Sequence, residues 1–312
     1  MKIAVVGVGA MGSVYAALLA DAGNEVSVVD TSDEQISAIQ EHGLRVEGAS
    51  GDRVVRVHAT HDPGDIGAVD LVVIATKAMH VRAAAESAHP LLGPETVVLP
   101  IQNGLGSAGA VADVLGAGRT VVGVAGGFGA SIVGPGHAHH HGLELVRLGE
   151  LAGRVTPRLE RIAEAWRAAG FTVKTFDDID RLVWEKLICN VAFSGTCAVL
   201  DLTIGEALGN EHAWSVAAAC AVEAYEVAVA SGISLGFDDP VAYVESFGEA
   251  IAGARPSLAL DLRAGRSTEI DAINGAIPPR ARALGLAARS NSTIVALVHA
   301  LEARDAYAAS SA

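Results

Sequence analysis

Lys186, Asn190 and Ser194 recur every four residues in the otherwise apolar stretch Leu182–Leu200, so on a helix they share one face. A lysine and an asparagine among apolar neighbours are costly without partners. Together they suit chemistry at a developing oxyanion: an ammonium to stabilise charge and give up a proton, with hydrogen-bonding groups beside it to orient a substrate. The blander reading is a narrow amphipathic surface stripe, and the apolar flanks weigh against it. A second cluster, Gly7-Val8-Gly9-Ala10-Met11-Gly12, follows an apolar strand and opens a helix. Gly7 permits a tight turn, Gly9 the close approach of a pyrophosphate, and Gly12 close helix–strand packing. The first helical residues, Ala10 and Met11, present N–H groups to phosphates, favoured by the helix dipole. A lone glycine pattern of this kind is weak. Here Asp30 ends the next strand at about the ~20-residue spacing of a ribose-binding acid, and the combination favours dinucleotide binding over a structural turn.

Lys77 and Gln102-Asn103-Gly104 each come directly after an apolar strand. Those are carboxyl ends of parallel strands, where open α/β sheets bind ligands. Singly, each reads as a solvated loop lysine and a turn asparagine; sharing the rim of the glycine loop, they read as facing the cofactor. Ser257 after Pro256 reads as a helix N-cap. Thr268-Glu269-Ile270-Asp271 reads as the opening of a helix whose first turn the acids stabilise. His137, His139, His140 and His141 lie in one short strand or turn that sends neighbours to opposite faces, so surface histidines are expected and no metal site. Cys189, Cys197 and Cys220 lack a His/Asp constellation and are expected to be buried, inert thiols in a reducing compartment.

The elements that must position these groups alternate in the first half. Lys2–Val6, Glu25–Asp30, Val69–Ala75 and Val97–Ile101 read as strands, with helices between them, beginning with Met11–Ala22. This pattern predicts parallel βαβ units with helices on both faces. Ser32 and Gln35 form a candidate capping box, and Leu44–Glu47 with Arg53–Ala59 a hairpin. Beyond Gly123, Val121–Val133, the turn Gly134-Pro135-Gly136 and Leu143–Leu148 predict antiparallel strands, followed by a helix near Thr156–Ala169 and a strand near Phe171–Thr175. From Asp177 the signal is almost wholly helical, with breaks at Gly232, Asp239-Pro240 and Pro278-Pro279. The expected class is therefore α/β: a Rossmann-type dinucleotide-binding domain over 1–176, then an all-helical substrate and catalytic domain over 177–312. The tail after Arg304 is expected to fray.

The 312 residues suit about two domains. With 22 basic and 36 acidic residues the formal charge is −14, which disfavours partners with phosphate backbones or anionic lipid surfaces. Hydrophobic residues at 51% and charged residues at 19% exclude a largely disordered chain. Ile3 to Met11 reads better as strand and turn than as a signal peptide, and no uninterrupted apolar run approaches the ~18 residues of a membrane span. A soluble, cytoplasmic protein with no nucleic-acid or membrane partner is expected.

In order along the chain, Gly7–Gly12, Thr76-Lys77, Gln102-Asn103-Gly104-Leu105-Gly106, Gly134-Pro135-Gly136, Lys186-x-x-x-Asn190, and Ser257 with Thr268-Glu269-Ile270-Asp271-x-Ile273-Asn274-Gly275 resemble the ketopantoate reductase family. The resemblance covers nearly the whole chain. It implies a Rossmann-type domain, a helical domain and an active site in the cleft between them. By position Lys186 corresponds to the family's general acid and Asn190 completes the catalytic pair. Asn103, Asn190 and Ser257 correspond to substrate-contacting residues, and Lys77, Asn103 and Glu269 to groups near the cofactor; Ala130 lies at a backbone-contact position. Some members carry an asparagine where this chain has Ser194, here kept as a substrate-side candidate, and another where it has Ile204.

The resemblance implies a nicotinamide-dependent reduction of a 2-keto acid, 2-dehydropantoate in the family. The Ser194 and Ile204 changes also suit a D-2-hydroxy-acid dehydrogenase on the same scaffold. A β-hydroxyacid dehydrogenase shares the glycine-rich start and the Lys-x-x-x-Asn helix, but the Gln102–Gly106 and Thr268–Gly275 stretches favour the ketopantoate reductase group. A non-catalytic dinucleotide sensor would not need Lys186 and Asn190. Asp30 favours NAD(H), because Asp30 through Glu41 holds Asp33 and Glu34 but no Lys or Arg to meet a 2′-phosphate. NADP(H) is what the family implies, since many members place a basic residue there. A homodimer is compatible with the resemblance, though no motif encodes it.

Overall fold

A computed structural model describes residues 1–127, 129–142 and 145–310, with side chains of the last helix described as far as Arg304. Two compact units result: Met1–Gln102 with Ser107–Ile179, and Asn103–Gly106 with the chain from Asp180 onward.

The first unit begins β1 (Lys2–Val6), α1 (Ala10–Asp21), β2 (Glu25–Val29), α2 (Asp33–His42), β3 (Leu44–Gly48), β4 (Arg53–Val55), β5 (His58–Thr60), β6 (Val69–Ile74), α3 (Val81–Ser87) and β7 (Leu92–Pro100). It continues α4 (Ser107–Leu115), β8 (Val121–Gly126), β9 (Gly129–Gly134), β10 (His137–Gly142), β11 (Leu145–Glu150), α5 (Pro157–Ala168) and β12 (Thr172–Thr175). Five strands pair in parallel in the order β5-β2-β1-β6-β7. The order reverses beside β1, which is where a doubly wound sheet binds its ligand. Alternation along β1 explains why its strand is continuously apolar. Ile3 and Val5 enter a core with α1 and α5, while Ala4 and Val6 enter a second core with α3 and α4 on the opposite face.

Several expectations are corrected in this unit. Arg53–Ala59 does not make one hairpin arm: β4 pairs with β3, but the chain then crosses so that β5 extends the parallel sheet beside β2. Val121–Val133 is two strands. β8 pairs antiparallel with β11, and β9 turns back at Pro135-Gly136 to pair with β10, so the tight turn joins a different pair of strands from the one expected. Of Leu143–Leu148, the positions Leu143 and Glu144 lie outside the described residues. Ser32 caps α2 through Gln35 N–H, but the Gln35 side chain turns inward rather than back to Ser32, so the box is half made. His140 is fully buried in β10 rather than on the surface, while His137 and His139 face Glu47.

The helical unit holds α6 (Ile179–Leu200), α7 (Ile204–Gly209), α8 (Glu211–Ala230), α9 (Pro240–Ala250), α10 (Ser257–Arg263), α11 (Ile277–Ala283) and α12 (Arg289–Ser310). No helix opens at Thr268: Ile270–Ile273 is a turn leading through a single 3-10 turn into α11, so Glu269 owes nothing to a helix dipole. Pro278 and Pro279 do not break a helix but start one, where a missing N–H is harmless. The backbone stays helical to Ser310, past the Arg304 at which fraying is expected. Among the described residues two helices, α6 and α8, are long and apolar enough to cross a membrane by length and composition, although charged residues interrupt both. Both feed buried side chains into one core, among them Leu187, Ile188, Val191 and Phe193 from α6 and Ala217, Cys220, Ala221 and Ala224 from α8. The three cysteines are free and buried, and burial pushes each thiol up to about 12.

Candidate active site

In the first unit the glycine loop runs from the end of β1 into α1. Gly7 sits at φ +94°, and a Cβ there would lie 2.7 Å from Thr76, so only glycine fits the turn. A Cβ on Gly12 would lie 1.9 Å from the Gly7 carbonyl oxygen, which is the close packing expected of the last glycine. Gly9 differs: it is exposed, and a Cβ would meet nothing within 4 Å. Gly9 is also the N-cap of α1, and no side chain caps that helix. Ala10 and Met11 therefore start a helix whose first N–H groups are left for another acceptor. An anionic pyrophosphate matches that donor set, so these residues fit a dinucleotide.

Asp30 follows β2 and is half-buried. Its Oδ2 accepts the Val8 N–H at 2.6 Å and its Oδ1 the Ser32 N–H at 2.9 Å. A carboxylate has about four acceptor sites, so these two bonds orient Asp30 and leave capacity for ribose hydroxyls. Lys77 follows β6, half-buried, its carbonyl accepting the His80 N–H. Gln102 Nε2 donates to the carbonyls of Ile74 (2.7 Å) and Thr76 (3.0 Å), tying the ends of β6 and β7 together just before Asn103. Ala130 lies in β9, paired with His140.

In the helical unit Lys186, Asn190 and Ser194 do share one face of α6. Lys186 and Asn190 are partly exposed, Ser194 is buried, and the residues between them are almost all buried. The polar face is thus a narrow one, on a helix whose other sides are enclosed. Lys186 Nζ donates to Asn103 Oδ1 at 2.7 Å, bringing together two residues 83 positions apart. The loop bearing Asn103 is itself fixed: Leu105 N–H donates to the Ala272 carbonyl at 2.9 Å, and Gly104, at φ +87°, packs where a Cβ would lie 2.2 Å from that oxygen. Glu269 stands in the same turn, its carbonyl accepting the N–H groups of Ala272 and Ile273. Ser257 is exposed in the first turn of α10, where Pro256 rather than Ser257 is the N-cap.

Three polar residues make supporting bonds, one in the first unit and two in the helical unit, that the sequence did not foretell. Gln35 is only 8% exposed and bonds the glycine loop. Asn274, fully buried, donates to the Val191 carbonyl (2.8 Å) and to Asn291 Oδ1 (3.0 Å), bracing α6 between Asn190 and Ser194. Asn291 in turn donates to Glu223 and the Cys220 carbonyl. Nothing local in the sequence marks these roles: Gln35 and Asn291 sit among polar neighbours, and of the three only Asn274 is an amide with apolar residues on both sides. Among the described residues no cluster could hold a metal ion.

A family model described as ketopantoate reductase PanE/ApbA matches residues 3–153, and its C-terminal counterpart matches residues 178–302. The 2-dehydropantoate 2-reductase of Archaeoglobus fulgidus is 31% identical over 301 residues, 96% of this chain and 98% of that protein. A crystal structure of a PanE/ApbA family ketopantoate reductase from Ralstonia eutropha JMP134 matches with a TM-score of 0.90 at 32% identity, over 98% of this chain and 99% of that one. D-mandelate dehydrogenase, solved as a ternary structure with NADH and anilino(oxo)acetate, matches with a TM-score of 0.88 at 28% identity, over 98% and 99%. By motif order, by its two units and by these likenesses along almost its full length, the chain belongs to the ketopantoate reductase family.

Proposed function

We propose that this chain is a nicotinamide-dependent oxidoreductase that reduces a 2-keto acid to the 2-hydroxy acid, as a 2-dehydropantoate 2-reductase does. The N-terminal unit holds the cofactor, and the helical unit with the Asn103 loop supplies the proton and orients the substrate. The observation that carries the reading is the 2.7 Å bond from Lys186 Nζ to Asn103 Oδ1, which fixes an ammonium on a helix otherwise buried in apolar side chains.

A bound reduced nicotinamide supplies the hydride to the keto carbon. As charge develops on the keto oxygen, Lys186 stabilises it and transfers a proton from Nζ, leaving a neutral amine that solvent reprotonates. Asn103 holds Lys186 in one rotamer, so the donor does not reorganise during reaction. Asn190, one turn on, and Ser257 hydrogen-bond the substrate's carboxylate or hydroxyl groups, with Ser194 as a smaller polar neighbour. The family resemblance assigns Lys77, Ala130 and Glu269 to the cofactor. Asp30 selects NAD(H) over NADP(H): its carboxylate accepts from ribose hydroxyls and would repel a 2′-phosphate, with no Lys or Arg between it and Glu41.

Ser194 and Ile204, both buried, offer fewer hydrogen bonds than the asparagines some relatives carry, so more apolar 2-keto acids should be accepted beside 2-dehydropantoate. Ile204 packs in the helical core, and the likeness to D-mandelate dehydrogenase makes a D-2-hydroxy-acid dehydrogenase the second reading. Steady-state oxidation of NADH and NADPH with a panel of 2-keto acids separates them. Turnover of 2-dehydropantoate supports the first reading and a preference for aromatic or branched 2-keto acids the second; no turnover of any sinks both.

A further inference from the structure

Val8 is 1% exposed and lies beyond the last paired residue of β1, so neither its N–H nor its carbonyl is satisfied by the sheet. Three side chains meet it instead. Asp30 takes the N–H; Gln35 Nε2 donates to the carbonyl at 2.6 Å, and Ser13 Oγ donates to the same oxygen at 3.1 Å. The other end of the Gln35 amide accepts the Gly136 N–H at 2.8 Å, across 101 residues of sequence. Gln35 is thus a buried amide using donor and acceptor at once, one to the glycine loop and one to the turn between β9 and β10.

The geometry points to Gln35 as a positioning residue for the cofactor loop. In a trans peptide the carbonyl and the next N–H point in opposite directions, and no cis peptide bond is present among the described residues. Holding the Val8 oxygen inward therefore turns the Gly9 N–H outward, to the side where Gly9 is exposed and a Cβ would meet no atom within 4 Å. The inward pull sets the direction of the first donor in the loop, and the bond to Gly136 N–H keeps the amide from rotating. Without that pull only the longer bond from Ser13 Oγ holds the Val8 oxygen, the peptide between Val8 and Gly9 turns more freely, and part of the phosphate-binding geometry must be paid for at binding. This inference rests on the proposal that the loop binds a nicotinamide dinucleotide.

The test compares wild type with Gln35→Met, which keeps the shape and loses both bonds, and Gln35→Glu, which loses the donor only when ionised. NADH binding is read by fluorescence titration from pH 6 to 8.5, alongside steady-state kinetics. Gln35→Met should raise the NADH Kd about tenfold, the order of one buried hydrogen bond, with kcat at saturating NADH changed less than twofold. Burial beside the Val8 carbonyl oxygen should raise the carboxyl's pKa in Gln35→Glu, so this variant should bind like Gln35→Met at pH 8.5 and move toward wild type as pH falls to 6 and the protonated carboxyl again donates to Val8; a purely structural role would give no such recovery. If Gln35→Met does not fold, this pH-dependent recovery decides alone. Wild-type Kd at every pH in a folded variant overturns the positioning role while leaving cofactor binding intact. A wild type that binds neither NADH nor NADPH overturns the functional reading and this inference together.

Discussion

The glycine loop and the lysine helix solve the same problem with different materials. In the N-terminal unit the candidate donors are main-chain N–H groups, and side chains act on them from behind: Asp30, Gln35 and Ser13 all grip the Val8 peptide. In the helical unit the candidate donor is a side chain, gripped by another side chain that a main-chain contact seats. Asn103 meets Lys186 because Leu105 and Gly104 are seated on the Ala272 carbonyl, and α6 is braced at Val191 by Asn274. Backbone donors tolerate substitution at the surface but not at the glycines that shape the turn. A side-chain donor stands or falls with one residue.

That contrast is sharpest at Lys186. Lys186→Ala should lower kcat by roughly 10²–10³, as loss of one oxyanion donor does, while the NADH Kd measured by fluorescence stays near wild type. Parallel loss of cofactor affinity would break the division of labour.

Asn274→Ala is expected to come next. It removes two buried hydrogen bonds and leaves Asn291 Oδ1 without its donor, which costs about 2–3 kcal/mol. Thermal unfolding followed by far-ultraviolet dichroism should report the loss in the helical unit. An unchanged melting temperature would mean that α6 is not braced there.

At the cofactor end the effect is smaller. Asp30→Asn should shrink the NADH-over-NADPH ratio in kcat/KM about tenfold, or ~1.4 kcal/mol, by removing the like charge. Because Asp30 also holds Val8 and Ser32, some affinity for NADH should be lost as well. A wild-type preference for NADPH would show that Asp30 does not read the ribose.

The smallest expected effect is electrostatic. His299 lies between Glu302 and Asp271, each at 3.0 Å; the hydrogen bond to Glu302 is the main cause that raises its pKa, with Asp271 adding to it against partial burial. A raised folded-state pKa means that the stabilisation is complete below the ordinary imidazole value and is lost as pH rises through the folded one. With the imidazole 46% exposed, salt screens the pair and the contribution should stay under about 1 kcal/mol. The melting difference between wild type and His299→Gln should therefore close between neutral and mildly alkaline pH. A difference that grows with pH would reverse the assignment.

The sequence was most legible where local patterning settles the outcome. The strands β1, β2 and β6 and the turn at Gly7 follow from apolar runs and glycine spacing, and the alternation of strand and helix carries the sheet class. It misled where long-range pairing decides: β5 leaves an apparent hairpin to complete the parallel sheet, and β9 and β10 pair with each other rather than with the flanking strands. Nothing local distinguishes those partners. The same holds for the site. Lys186, Asn190 and the glycines stand out by spacing, but what supports them does not: Gln35, behind the glycine loop, reads as half of a capping box, and Asn274, behind α6, as one amide of the Thr268–Gly275 stretch. Glu269 looked like an N-terminal helix acid because the pattern Thr-Glu-Ile-Asp fits a cap, whereas the chain makes a turn there that receives Leu105 N–H.

The central claim is that Lys186 protonates a keto oxygen while hydride arrives from a reduced nicotinamide. The most direct test incubates wild type and Lys186→Ala with NADH deuterated at the transferable C4 position and a panel of 2-keto acids that includes 2-dehydropantoate. Products are then read by mass spectrometry. The account predicts one deuterium at C2 of a 2-hydroxy acid with wild type and a rate lower by roughly 10²–10³ with the variant. Unlabelled product, no product from any keto acid, or equal rates from the two proteins would contradict it.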